Sequence, residues 1–128
     1  MTNSNSAKQD SRQVKLESFI QDWYYDDASH EFARQVGSFL FEFLDYLEAS
    51  GLSECTLRKH KGNCWCIGRL ECDYGYRDTF SPEVFLTKPA YLYEFKRRMS
   101  DSKYAEASYR ATWRKLERYT RSLGFGKA

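Results

Sequence analysis

The chain has 128 residues, a net charge of only +2 and a hydrophobic share of 41%. This length is typical of one domain, and the hydrophobic share is enough for a core, so an extensively disordered protein is excluded. No run of about 18 apolar residues is present, and the polar start at residues 1–6 lacks the apolar segment of a secretory signal. We therefore expect an intracellular, cytoplasmic protein with no membrane segment.

The charge is unevenly distributed along the chain. Residues 1–50 carry four basic and nine acidic side chains, a net charge of −5, whereas residues 51–128 carry sixteen basic and nine acidic side chains, a net charge of +7. Such asymmetry is typical of a protein whose basic part meets an anionic partner, although a well-solvated surface gives the same totals.

The first thirty residues divide into two segments. Residues 1–12 are polar and predict a flexible tail. Residues 13–30 place the aromatic and aliphatic side chains of Phe19, Ile20 and Trp23 beside several aspartates. We expect this acidic-aromatic segment to pack on the domain, because an exposed aromatic cluster would be sticky; a partner-binding motif is the alternative.

Two long helices follow, and they begin a domain that we place at residues 31–125. The first has an apolar stripe with 3- and 4-residue steps: Phe32, Val36, Phe39, Leu40, Phe43, Leu44 and Leu47. Gly51 predicts its end, and Ser53 predicts the N-cap of a second helix that runs to about Tyr74. The predicted inner face of the second helix is Leu57, the stem of Lys61, Cys64, Ile67, Gly68 and Cys72.

The remaining chain predicts a loop and two more helices. Pro82 indicates a single helical turn within the loop, and Thr87 is the predicted cap of a third helix with an apolar stripe of Leu92, Phe95 and Met99. The segment Ser100–Ser102 ends that helix and caps a fourth, which Gly124 ends. Its apolar stripe is Tyr109, Trp113, Leu116, Tyr119 and Leu123. With no competing strand pattern, the prediction is an all-α, compact bundle of four main helices.

The fourth helix carries a row of arginines opposite its apolar stripe. Steps of 4, 4 and 3 residues place these side chains on one ridge: Arg110, Arg114, Arg118 and Arg121. Arginine keeps its charge and donates hydrogen bonds in a planar fork that suits phosphate and guanine edges. The ridge therefore indicates nucleic-acid binding, and a merely solvated face is the alternative.

The second helix shows a similar outer face, made of Arg58, Lys59, Gly62, Asn63, Cys66 and Arg69. A glycine inside a helix costs on the order of 1 kcal/mol relative to alanine. Gly62 between basic residues would let a phosphate backbone come close.

One segment resembles a known family. Gly51, Leu52 and Ser53, followed by Thr56 and Leu57, are similar to the start of the core-binding, SAM-like N-terminal domain of phage integrases and other tyrosine recombinases. The stripe of the fourth helix has the spacing of that domain's last helix, with aromatic residues at Tyr109 and Trp113 where aliphatic residues are usual. The resemblance spans about residues 31–125.

The resemblance implies that the second and last helices lie against double-stranded DNA. The candidate contacts that it implies agree with the basic faces: Arg58, Lys59, Asn63, Arg110, Arg114 and Arg118. Arg69 and Arg121, which lie on the same faces, complete the set of candidates. A homodimer or a protein partner remains open, because one such domain would grip DNA from one side only.

Catalytic chemistry has no sequence support. The family's catalytic residues belong to a second domain, and this chain ends at Ala128, where that domain would begin. Neither His30 nor His60 stands in the family's His-x-x-Arg motif. The cysteines Cys55, Cys64, Cys66 and Cys72 lie within 18 residues and, with His60, do not match zinc-ligand spacing. We expect no enzyme, no metal and no cofactor, with buried cysteines at 64 and 72 and an exposed thiol at Cys66 that can oxidise.

A second function stays open at this point. The 3 Trp, 10 Tyr and 9 Phe residues exceed what a small core needs, so surplus aromatic side chains could line a partner interface. A helical protein-interaction domain that kept the fold but not the DNA is the alternative to the DNA-binding module.

Overall fold

A computed structural model describes residues 4–126, with side chains from Ser11 onwards. The described residues form five α-helices and one short 3-10 helix, with no strand among them. The all-α prediction is confirmed, but four main helices were expected, and the long helix at Ser4–Ile20 was not predicted. The helices are α1 (Ser4–Ile20), α2 (Asp27–Ala49), α3 (Glu54–Tyr74), α4 (Leu92–Arg98) and α5 (Lys103–Ser122), with the 3-10 helix at Pro82–Leu86. None of these helices is long and apolar enough to cross a bilayer.

Helix α1 differs from the sequence prediction. A flexible tail was expected over residues 1–12, whereas the helix begins at Ser4, and residues 1–3 lie outside the described part. No glycine or proline interrupts the stretch from Ser4 to Ile20, so nothing in it breaks a helix. Leu16 and Ile20 anchor its second half in the core.

Two glycines let α1 and the turn after it approach the other helices closely. A methyl group on Gly37 of α2 would lie 2.6 Å from Ile20 Cγ2 and 2.9 Å from Leu16 Cδ1. A methyl group on Gly68 of α3 would collide with the indole ring of Trp23, which is itself buried. The acidic-aromatic segment therefore packs on the domain through Leu16, Ile20 and Trp23.

Local capping sets the bounds of α2 and α3. The Asp26 carboxylate accepts a hydrogen bond from Ser29 N at 2.8 Å, and the Ser29 hydroxyl accepts one from Asp26 N, so α2 starts on a reciprocal cap. After α2, Gly51 has φ 89°, the left-handed conformation predicted for it. Ser53 caps α3 by accepting from Thr56 N at 3.2 Å, as predicted, and α3 ends at Tyr74.

The segment between α3 and α5 departs from the prediction at Thr87. The helical turn after Pro82 is present as the 3-10 helix, but Thr87 does not cap α4, which begins five residues later at Leu92. Pro89 disfavours helical geometry at the residue before it. Side chains of α5 also hold this segment: Trp113 Nε1 donates to Thr87 O at 2.9 Å, and Tyr109 Oη donates to Ala90 O at 2.9 Å.

Helix α5 closes the core. Ser102 caps it by accepting from Ala105 N at 3.0 Å, and Tyr109, Trp113, Leu116 and Tyr119 are buried as predicted. Leu123 was assigned to the same stripe, and that assignment is wrong, because the helix ends at Ser122 and the Leu123 side chain is 49% exposed. Gly124 follows with φ 100°.

The inner face of α3 also differs from its prediction. Cys64, Ile67 and Gly68 are buried as expected, but Lys61 is exposed, and Leu57 and Cys72 are only half-buried. The buried side of α3 instead extends to His60, Leu70 and Glu71.

Two alanine substitutions in α3 should have opposite effects on stability. Gly68→Ala should lower the free energy of unfolding by about 1–3 kcal/mol, because the new methyl group overlaps Trp23. Gly62→Ala should raise it by about 0.5–1 kcal/mol, because no heavy atom lies within 4 Å of the new methyl group and alanine favours a helix. Urea denaturation followed by circular dichroism measures both. A Gly68→Ala variant as stable as the parent would contradict the close packing of Trp23 against α3.

Candidate nucleic-acid interface

The arginine ridge of α5 lies on the surface, and its members differ in their partners. All four side chains are exposed. Arg110 Nε lies 3.3 Å from Glu106 Oε2, and Arg121 Nη2 lies 2.9 Å from Glu117 Oε2. Among the described residues, Arg114 and Arg118 have no carboxylate within 4 Å. The middle of the ridge therefore presents two guanidinium groups whose charge the protein leaves uncompensated.

The first turns of α3 add two exposed cations, Arg58 and Lys59. The Lys59 ammonium lies 5.4 Å from the ring centroid of Tyr104, which belongs to the first turn of α5. The nearby Tyr104 side chain raises the pKa of Lys59, so the contact does not weaken the positive charge of the lysine. The contact joins the basic faces of α3 and α5 into one surface.

Sequence reasoning missed Tyr104 as part of this surface. Its side chain is 67% exposed, and a tyrosine in a first helical turn carries no signal of its own. Only the packing of α3 beside α5 shows that Lys59 lies over it.

Asn63 does not lie free on the outer face of α3, as was predicted. Its side-chain amide turns towards α5 and donates to Ser108 O at 3.1 Å, Ser108 Oγ at 2.9 Å and Thr112 Oγ1 at 2.8 Å. A side chain at the margin of a helix face can turn to either side, so the hydrogen-bond partners on the neighbouring helix set its direction. Asn63 joins α3 to α5 instead of facing a ligand.

Cys66 was also assigned to the outer face, as an exposed thiol. It is half-buried against the core, and burial raises the pKa of its thiol, which keeps it protonated and less reactive. Cys64 is fully buried, as expected, whereas Cys72 is only half-buried. Burial first, and then the nearby Glu71 and Asp73 carboxylates, raise the pKa of Cys72 to about 12.

Arg69 lies towards the other end of α3, and it is engaged by a carboxylate. Its Nε atom lies 3.1 Å from Asp73 Oδ2, and its guanidinium carbon lies 6.0 Å from the ring centroid of Trp65. Arg98 of α4 approaches the same Asp73 oxygen at 2.8 Å. Arg69 therefore belongs to a charged cluster between α3 and α4.

Both histidines have structural partners. His60 is buried, and its Nδ1 atom lies 2.7 Å from Thr112 Oγ1. Burial, and to a lesser degree the charge of Lys115, lower the pKa of His60, so the ring is neutral at pH 7. His30 stacks on the ring of Tyr24 at 3.9 Å between centroids, and its Nε2 atom lies 2.7 Å from a carboxylate oxygen of Glu17.

Positive and negative side chains are concentrated on different helices, as they are in different halves of the chain. Helix α5 carries six basic and two acidic side chains, whereas α2 carries one basic and five acidic side chains. Within residues 4–126, no group of three or more His, Cys, Asp or Glu side chains could hold a metal ion. The features that point to a ligand on this side of the molecule are thus cationic, and they concentrate on α5 and the adjoining face of α3.

Comparison of the chain with protein-family models, with curated proteins and with solved structures finds no match.

Replacing Asn63 should test its structural role. Asn63→Ala should lower the free energy of unfolding by about 1–3 kcal/mol, because acceptors at the junction of α3 and α5 lose their donor. Arg58→Ala, an exposed change on the same helix, should stay within about 0.5 kcal/mol of the parent. Equal stability of the two variants in urea would show that the Asn63 hydrogen bonds do not hold the helices together.

The stability of the protein should fall in mild acid because of His60. Its pKa in the folded protein lies below the ordinary value of 6.5. Below that value the unfolded chain binds a proton that the folded protein does not, so lowering the pH through this window favours unfolding. His60→Gln removes the titration. Urea unfolding at about pH 7.5 and at about pH 5 should show a smaller acid-induced loss in this variant than in the parent, whereas equal losses would contradict the assignment.

Proposed function

We propose that this chain is a non-catalytic module that binds double-stranded DNA through the exposed basic faces of α3 and α5. The observation that carries the proposal is the pair Arg114 and Arg118, which are exposed and have no carboxylate within 4 Å among the described residues. Arg110, Arg121, Arg58 and Lys59 extend this pair along α5 and onto α3.

The dimensions and chemistry of this surface suit a duplex. With 20 residues, α5 is about 30 Å long, and a major groove about 12 Å wide admits one helix. Guanidinium groups donate to phosphate oxygens in pairs and release condensed counterions, which supplies most of the affinity for DNA. Open space above Gly62 leaves room for a sugar-phosphate backbone beside Arg58.

The resemblance of residues 31–125 to integrase core-binding domains also supports the proposal, since that family lays the corresponding helices on DNA. The absence of catalysis is a part of the proposal. It is supported by the burial of His60 and its contact with Thr112, which leave this ring little access to a substrate.

A helical protein-interaction domain is the second candidate, and one feature favours it. An open cleft of about 810 Å³ runs between α1, α2 and α3, and its apolar lining includes Phe19, Phe41, Leu44 and Leu57. Several tyrosines are also exposed, with Tyr25 at 88% and Tyr93 at 73%. A partner protein that uses these features would leave the arginines of α5 in solvent.

Binding to duplex DNA at several salt concentrations tests the DNA proposal. Fluorescence anisotropy with a labelled duplex should show a straight line of log K against log salt, with a slope near −3.6 for about four phosphate contacts. The double variant Arg114→Ala and Arg118→Ala should reduce the magnitude of this slope by about 1.8, because two contacts are lost. Its fold should be unaffected, since neither side chain forms an ion pair with a described residue.

One control variant and one further test variant complete the experiment. Lys15→Ala removes an exposed cation from α1, which is not part of the proposed surface, and should leave the slope unchanged. Gly62→Ala adds no charge but fills the space beside Arg58, so it should weaken DNA binding although it stabilises α3. Absence of binding by the parent at low salt would refute the proposal and favour the protein-interaction candidate.

A further inference from the structure

A second group of cations lies where the end of α3 meets α4. We call it the arginine cluster and define it as Arg69, Arg97 and Arg98 together with Asp73 and Tyr74. Arg69 and Arg98 both approach Asp73 Oδ2, at 3.1 and 2.8 Å. Arg97 and Arg98 both donate to the hydroxyl of Tyr74, at 3.1 and 3.3 Å. Three guanidinium groups thus converge on one carboxylate and one phenol.

The charges of the arginine cluster do not balance. Three positive groups meet one carboxylate, so the cluster has a net charge of +2, and Arg97 has no carboxylate within 4 Å among the described residues. Each guanidinium has five N–H donors, and the hydrogen bonds formed here use only a few of them. The unused donors and the surplus charge are what an oxyanion such as phosphate would satisfy.

The arginine cluster continues the basic face of α3. Residues 58, 62, 69 and 73 recur at near-helical spacing, so Arg58, Gly62 and Arg69 lie on one side of α3, and Asp73 ends that row. At about 1.5 Å per residue, Arg58 and Arg69 are roughly 16 Å apart along the helix axis. A polyanion lying along α3 from Arg58 would therefore reach the cluster.

We infer that the arginine cluster binds a phosphate group of the same DNA duplex, as a second anchor separate from the ridge of α5. The inference rests on the proposed function, because it takes the duplex as its ligand. It adds Arg97 and Arg98 of α4 to the residues that meet the backbone. Asp73 pairs with Arg69 and Arg98 and therefore competes with a bound phosphate for these two side chains, whereas Arg97 has no such competitor among the described residues.

If the arginine cluster only stabilised the fold, replacing Arg97 would change the stability of the protein rather than its DNA binding. Arg97 is exposed, and within the described part of the chain its side chain bonds to a tyrosine that is itself 45% exposed, so it contributes little to folding. Arg97→Gln should therefore leave the urea midpoint unchanged. An effect of this variant on DNA binding would then report contact with the ligand rather than loss of structure.

The decisive experiment is the salt dependence of duplex binding by Arg97→Gln, Arg97→Lys and Lys15→Gln, measured by anisotropy beside the parent. Arg97→Gln should reduce the magnitude of the slope by about 0.9, the value for one phosphate contact. Arg97→Lys keeps the charge and should keep the slope. Lys15→Gln removes the same unit of charge from α1 and should bind as the parent does.

Substitution of Asp73 supplies a test with the opposite sign. Asp73→Asn removes the only carboxylate of the cluster and should tighten binding at low salt, whereas Glu42→Gln on α2 removes an exposed carboxylate elsewhere and should not. Weaker binding by a folded Asp73→Asn variant counts against the inference.

The outcomes separate the two proposals. If the parent binds DNA but Arg97→Gln has the parent's slope, the second anchor is refuted and the proposed function stands. If Arg97→Gln and Lys15→Gln reduce the slope equally, the effect is one of net charge, and the second anchor is again refuted. If the parent does not bind duplex DNA, both proposals fall together.

Discussion

The hydrogen bonds between α3 and α5 are the interaction on which the candidate surface depends. Asn63 donates to Ser108 and Thr112, and His60 pairs with the same Thr112 hydroxyl. These directional bonds fix the rotation of each helix about its own axis, which apolar packing alone would leave looser. Without that rotation Lys59 would not lie over Tyr104, and the two basic faces would not form one surface.

Helix α3 packs against other parts of the protein on nearly all of its sides. Gly68 accommodates the Trp23 ring, Cys64 and Ile67 fill the core, and Asn63 faces α5. One face is left for solvent or for a partner, and it carries basic residues. No residue with a larger side chain fits in place of Gly68, because the Trp23 ring already occupies the space and protein interiors are closely packed.

The protein neutralises part of its own positive charge, and the pattern of neutralisation distinguishes one arginine from another. Glu106 and Glu117 each hold an arginine at an end of the ridge, whereas the middle of the ridge has no carboxylate nearby among the described residues. A ligand of high negative charge should bind there at the lowest free-energy cost, since no ion pair must be broken first. Exposed ion pairs are weak, however, so Arg110 and Arg121 can exchange their carboxylates for phosphates at low cost.

The sequence predicted the helical class and the bounds of α3 and α5, because these follow from signals local to the chain. The caps at Ser53 and Ser102 and the left-handed glycines Gly51 and Gly124 need no information about neighbouring helices. It also placed the arginines of α5 on one ridge, since helical periodicity alone does that. The inward turn of Asn63 depends on packing, because a side chain at the margin of a face takes its direction from the helix beside it. The start of α4 and the ion pairs of individual arginines were likewise decided by contacts between residues distant in sequence, which no local pattern records.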